Sequence, residues 1–149
     1  MMKEGIELLW TKSNRPFSRL IRAVTGEKAS HCVIKWNNFV IHSTFSGVKV
    51  VGAPTFLEQN EVIYRLNHEV KIEDLAAIVI KYGARFYDLL GFLYLGLRLL
   101  FPFLPKKNLW QITGMFMCTE FLSQFFYGKE LSMITPDQLY FKLREDLKQ

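Results

Sequence analysis

The sequence predicts an α+β protein in which helices pack on a small antiparallel sheet. Two observations support this prediction. The first half of the chain contains short apolar runs separated by turn residues, which is typical of strands. The second half contains apolar residues at helical spacing, bounded by capping residues and helix stops. Because strands come first and helices later, we expect one sheet with the helices packed on it.

The composition limits the class of protein. The 149 residues are the size of one domain, so residues 1–149 are treated as a single unit. Half of the residues are hydrophobic and 22% are charged, which excludes a disordered chain and a disulfide scaffold. The net charge is +5, but no helix-turn-helix, zinc-finger or RNP-like signature organises the basic residues. We therefore expect no nucleic-acid partner.

Two features bear on location. The sequence has only two cysteines, Cys32 and Cys118, which suits a reducing compartment. The segment after Met1 lacks the long apolar stretch of a signal peptide. We expect a cytoplasmic protein, and peripheral contact with a membrane surface is the alternative left open.

The first elements are a strand and a helix. The apolar run 6–10 is suited to a strand. Ser13 or Asn14 then provides the cap of a helix that has Pro16 in its first turn. Gly26 ends this helix.

Further strands follow. Residues 31–36 and 39–43 form a hairpin, because the asparagines at 37–38 tolerate the left-handed backbone of a tight turn. Two more strands are predicted at 48–51 and 61–65.

Turn residues separate these later strands. Residues 52–54 and 59–60 indicate turns on either side of the segment between them. His68 is expected in a solvated loop.

The second half is predicted to be helical. An amphipathic helix begins near residue 72 and ends near Gly83. Helices follow at 88–100 and 116–127, and Thr135-Pro136 opens a last helix that ends at about Leu147.

The most hydrophobic stretch, residues 89–104, lies in an apolar helical insertion at about 89–108. It is too short to span a membrane, which takes about 20 apolar residues, and Arg98 and Pro102 interrupt it. One interpretation is a core helix. The other is a hydrophobic hairpin lying on a membrane surface, with Lys106-Lys107 at the level of the lipid headgroups.

The hairpin places two histidines side by side. If its turn is centred on residues 37–38, opposed residues have numbers that sum to 75. His31 and His42 then share one face as diagonal neighbours. Cys32 points to the other, more apolar face, and we expect it to be a core residue.

A third reactive residue, Cys118, lies in the first turn of the helix predicted at 116–127. Helix amino-terminal N–H groups and a neighbouring imidazole both lower the pKa of a thiol. Phe121, Leu122 and Phe125 lie on the same helical face as Cys118. Packing of that face on the sheet is expected to bring the sulfur to the imidazoles.

Five short motifs follow one another along the chain. They are Ser30-His31-Cys32-Val33-Ile34, His42, Gly47-Val48, Tyr87-Asp88 and Met117-Cys118-Thr119-Glu120. This order resembles the circularly permuted branch of the NlpC/P60 papain-like superfamily, in which the histidine precedes the cysteine. The branch includes bacterial YiiX-like proteins and, more distantly, the lecithin retinol acyltransferase group. The resemblance covers most of the chain and implies a permuted papain-like fold.

The resemblance also implies a mechanism. Cys118 is the expected nucleophile, His31 the general base and later acid, and His42 the residue that orients His31. The expected reaction is hydrolysis of an amide, in a peptide or a peptidoglycan-like substrate, through a thioester and without a cofactor. Alternatives are a lipid-directed acyltransferase or thioesterase, a non-catalytic relative that binds peptide or lipid, and a zinc site built from the same three residues.

Three further residues are candidate substrate contacts. Tyr87 and Asp88 are expected to line a cleft, although an aspartate ahead of an apolar helix also acts as a cap. Glu120 lies two residues from the thiol. Its alternative role is to stabilise the helix dipole from the first turn.

Overall fold

The computed structural model describes residues 3–44, 47–82, 97–98, 100–105, 118–129 and 134–148. The strands are β1 (Lys3–Lys12), β2 (His31–Trp36), β3 (Phe39–Thr44), β4 (Gly47–Gly52) and β5 (Glu61–Lys71). The described helices are α1 (Pro16–Thr25), α2 (Ala53–Gln59), α3 (Ile72–Tyr82), α4 (Cys118–Tyr127) and α5 (Pro136–Asp146). The predicted α+β class is confirmed.

The five strands form one antiparallel sheet in the order β4-β3-β2-β1-β5. The β2–β3 hairpin turns at Asn37, which has a φ of 50°. Its register pairs Ile34 with Ile41 and Lys35 with Val40. Both pairs sum to 75, so the predicted register is confirmed, and it fixes which side chains of the hairpin share a face.

Strand β1 shows that the sheet is covered on both faces. Its residues Leu8, Leu9 and Trp10 are all fully buried, although successive side chains of a strand point to opposite sides. Trp10 belongs to the larger core, with apolar side chains of α3, α4 and α5. Leu9 belongs to a smaller core, with Phe56 of α2. The sheet therefore lies between α2 on one face and three helices on the other.

The ends of α1 agree only partly with the prediction. Pro16 lies in the first turn, and Gly26, with a φ of 69°, ends the helix as predicted. The N-cap is Arg15, however, and not Ser13 or Asn14. A residue before proline is held in an extended conformation, as Arg15 is with a ψ of 146°, and an extended residue directly before a helix occupies the cap position.

Helix α5 holds the chain that leads into β2. Thr135 caps the helix, and its hydroxyl and the Gln138 side chain form a reciprocal capping box. The Asp137 carboxylate accepts hydrogen bonds of 3.2 Å from the backbone N–H groups of Lys28 and Ala29. These bonds fix the start of β2, where His31 lies.

Two predictions, one for residues 52–54 and one for His68, were wrong. Residues 52–54 are not only a turn, because α2 begins at Ala53 with Pro54 in its first turn, a position for which proline is already in helical geometry. His68 is not in a loop. It lies in β5 and pairs with Ile6 of β1, because β1 extends back to Lys3 and supplies hydrogen-bonding partners as far as Lys71 of β5.

The predicted helix at 88–100 and the insertion at 89–108 fall largely outside the described residues. Within them, residues 97–98 and 100 are helical. Leu100 and Phe103 are 73% and 83% exposed. This described end of the apolar segment therefore does not form part of the core. No helix in the described ranges has the length and hydrophobicity needed to cross a bilayer.

Candidate active site

His31 and His42 contact each other at one end of the β2–β3 hairpin. Nε2 of His31 lies 3.2 Å from Nδ1 of His42, and the ring centroids are 5.4 Å apart. The ring of His42 also packs edge-on against Phe56 of α2, with centroids 5.2 Å apart. The predicted juxtaposition of the two imidazoles is present, and α2 holds the second ring in place.

His42 is uncharged near neutral pH. Burial lowers its pKa to about 3, and the positive charges of His31 and Arg15 contribute in the same direction. A neutral ring retains a lone pair on one nitrogen. When His31 is protonated on both nitrogens, Nδ1 of His42 must therefore be the acceptor of the hydrogen bond from Nε2. The neutral ring of His42 can therefore orient His31 through this hydrogen bond.

The Cys118 thiol is the first side chain of α4 and is only 2% exposed. Hydrogen bonds from Cys32 lower the pKa of Cys118 most, and the hydrogen bond and charge of His31 lower it further. Burial acts in the opposite direction, but the pKa remains well below its usual value. Because Nε2 of His31 faces His42, Nδ1 is the nitrogen available to the sulfur. Cys118, His31 and His42 thus form a chain of contacts.

The sulfur reaches His31 from the face of the sheet opposite the one predicted for the imidazoles. Helix α4 packs with Cys32 and Ile34 in the larger core, whereas the ring of His42 contacts Phe56, which belongs to the smaller core. His31 is the first residue of β2, and from this strand end its ring interacts with both Cys118 and His42.

Cys32 has a contact that the sequence did not reveal. It is fully buried, as predicted. Its thiol and its backbone N–H both donate hydrogen bonds to the sulfur of Cys118. Burial and the neighbouring Cys118 raise the pKa of Cys32. The sequence held one indication of this contact. The alternation of side chains along β2 placed Cys32 on the apolar face, which is the face that an amphipathic helix covers.

A groove of about 360 Å³ opens beside the two histidines. Residues of α1 and α2 contribute to its walls, including Phe17, Ile21 and Phe56. Arg15 also lines the groove, and its guanidinium donates a hydrogen bond to the Gln59 side chain at the end of α2. Sequence reasoning identified neither this groove nor Arg15, because α2 was not predicted.

The remaining predicted contacts have different outcomes. Glu120 is fully buried, with 0% of its surface exposed, and offers no surface to a substrate in this conformation. Tyr87 and Asp88 lie outside the described residues. Within the part of the chain that the structure describes, no group of three His, Cys, Asp or Glu side chains is arranged to hold a metal ion, so the zinc alternative is not supported.

Ser43 is a second residue that the sequence did not single out. It lines the groove, and its hydroxyl is buried with no hydrogen-bond partner among the described residues. A buried hydroxyl without a partner is costly in a folded protein. Because this hydroxyl has almost no accessible surface, it is not open to the groove in this structure.

Comparisons with family models, curated proteins and solved structures return no match to this chain.

The low pKa of His42 predicts a loss of stability in acid. Between about pH 3 and pH 6.5 the unfolded chain binds a proton at residue 42 that the folded protein does not bind, so stability falls as the pH falls through this window. The contribution is about 2–3 kcal/mol between about pH 7 and pH 4.5. Urea unfolding at both pH values should show a loss that is smaller by this amount in His42→Gln. Equal losses in the two proteins would contradict the assignment.

The contact with Cys32 predicts a change in thiol acidity. In Cys32→Ala the sulfur of Cys118 loses a donor, and the pH of half-maximal alkylation should rise by about one unit or more. Cys32→Ser keeps a hydroxyl donor and should stay closer to wild type. Iodoacetamide labelling, followed by mass spectrometry of the Cys118 peptide, measures this. An unchanged profile in Cys32→Ala would show that the contact does not acidify the thiol.

Proposed function

We propose that this protein is a cysteine hydrolase that cleaves an amide bond in a peptide or peptidoglycan-like substrate. The observation that carries the proposal is the chain of contacts from Cys118 to His31 to His42. A nucleophile, a base and a group that orients the base are the three parts of a thiol hydrolase site. The same residues match the pattern of the permuted NlpC/P60 proteins, and we propose membership of that superfamily and its papain-like fold.

In the proposed reaction the Cys118 thiolate attacks the carbonyl carbon, and a sulfur–carbon bond forms. Backbone N–H groups at the start of α4 stabilise the oxyanion. His31 donates its proton to the leaving nitrogen, the carbon–nitrogen bond breaks, and a thioester remains. His31 then takes a proton from water, which attacks the thioester and releases the acid. His42 stays neutral and holds His31 in position in both steps.

We also propose that the protein works in the cytoplasm. The support is that both cysteines are free thiols, in contact, and that the proposed reaction requires one of them in its reduced form.

The test of the triad compares thiol reactivity in variants. At about pH 6.5 we expect rapid alkylation of Cys118 in wild type and a rate more than about tenfold lower in His31→Ala, because the thiolate loses its imidazole. His42→Ala should lie between the two. Circular dichroism checks that each variant is folded, and His31→Gln provides a second variant of similar size. Equal rates in all folded variants would overturn the triad.

The second half of the same test asks whether an acyl-enzyme forms. p-Nitrophenyl acetate should leave an acetyl group on Cys118 that hydroxylamine removes, and Cys118→Ala should carry none. Peptide and peptidoglycan fragments then test for cleavage of an amide. A reactive thiol that never acquires an acetyl group would indicate a binding protein and not a hydrolase.

A lipid-directed acyltransferase or thioesterase is a second candidate, because one surface of the described chain is strongly apolar. Leu100, Phe101 and Phe103 are exposed and lie within four positions of one another in the sequence. Exposed apolar side chains that adjoin basic residues are typical of segments that lie on a membrane surface. This observation favours a substrate presented by a bilayer.

Vesicle binding tests this second candidate. We expect Phe103→Ser to weaken co-sedimentation with phosphatidylserine vesicles by about tenfold or more, because a phenyl ring leaves the lipid. Phe141→Ser is the matched control, since Phe141 is also an exposed phenylalanine, at 55%, but lies on α5. If the wild-type protein does not bind these vesicles, or if both variants bind equally well, the lipid-directed function loses its support.

A further inference from the structure

We infer that the groove beside the histidines selects substrates whose acyl part carries a carboxylate, and that Arg15 binds this group. The inference deepens the proposed function and rests on it. It names a feature of the substrate that neither the nucleophile nor the base determines.

The charge of the groove supports the inference. Apart from the two histidines, Arg15 is the only ionisable side chain among the described residues that line the groove, and none of them is acidic. Arg15 lines the same groove as His31 and His42, and its positive charge acts on His42. An anionic group of a bound substrate would therefore meet one cation and no opposing carboxylate.

The bonding of Arg15 leaves room for such a group. Its guanidinium donates to the neutral amide oxygen of Gln59, and no ion pair of Arg15 occurs within the described ranges. A guanidinium has five N–H donors in a planar fork that fits the two oxygens of a carboxylate. A carboxylate would thus add charge-assisted hydrogen bonds where the free protein has one bond to a neutral partner.

The walls of the groove define the rest of the ligand. Phe17, Ile21 and Phe56 provide apolar surface. The volume of about 360 Å³ is at the lower end of the range for small-molecule pockets. The groove therefore fits one or two amino-acid residues, or an acyl group of similar size, with an apolar body and one carboxylate.

Two alkylating reagents that differ only in charge test this inference without knowledge of the natural substrate. In both iodoacetate and iodoacetamide the thiolate displaces iodide, so a sulfur–carbon bond forms and a carbon–iodine bond breaks. Only iodoacetate carries a carboxylate. The measured quantity is the ratio of the two rates of alkylation at Cys118, in low salt, for each variant.

We expect Arg15→Gln to lower the ratio of the iodoacetate rate to the iodoacetamide rate by about fivefold or more. Arg15→Lys keeps the charge and should restore most of the ratio. Arg19→Gln is the matched control, because Arg19 is an exposed residue of α1, the helix that Arg15 precedes, and does not line the groove. Added salt should reduce the difference between wild type and Arg15→Gln.

The outcomes separate this inference from the proposed function. If Cys118 reacts rapidly with both reagents but the ratio is the same in wild type and Arg15→Gln, the carboxylate subsite is wrong and the hydrolase proposal stands. If Arg19→Gln lowers the ratio as much as Arg15→Gln does, the effect is general charge and the subsite is also wrong. If Cys118 reacts with neither reagent, the proposed function fails, and this inference fails with it.

Discussion

The arrangement of the site depends on the position of His31 at the very start of β2. A side chain in the middle of a strand contacts one face of the sheet, but a residue at the strand end has neighbours on both. From this position His31 interacts with Cys118, whose helix packs in the larger core, and with His42, whose ring contacts the smaller one. Any shift of the chain before β2 would break one of these contacts. The hydrogen bonds from Lys28 and Ala29 to Asp137 hold that chain in place.

The sequence predicted the parts of this arrangement that depend on short-range geometry. The turn at residues 37–38 defined the hairpin register, and the register brought His31 and His42 together. Both follow from backbone preferences of a few adjacent residues. The alternation along β2 likewise predicted that Cys32 is buried. Cys118 was predicted at a helix start because the apolar spacing beyond it is helical, and α4 begins there.

The parts that the sequence did not predict depend on contacts between distant segments. The groove exists because α2 packs against the sheet beside α1, and Arg15 bonds to Gln59, 44 residues away. The thiol contact between Cys32 and Cys118 depends on which face of the sheet α4 covers, and no local pattern encodes that choice. The cap of α1 was missed for a different reason, since the extended conformation imposed by Pro16 outweighed the side-chain preference for serine or asparagine.

The order of the elements along the chain has a consequence for biosynthesis. All five described strands precede residue 72, whereas the helix that begins with the sulfur starts at residue 118. A ribosome therefore adds both imidazoles well before it adds Cys118. During most of translation the growing polypeptide contains the two histidines but lacks Cys118, so the contacts among the three side chains can form only after residue 118 has been added.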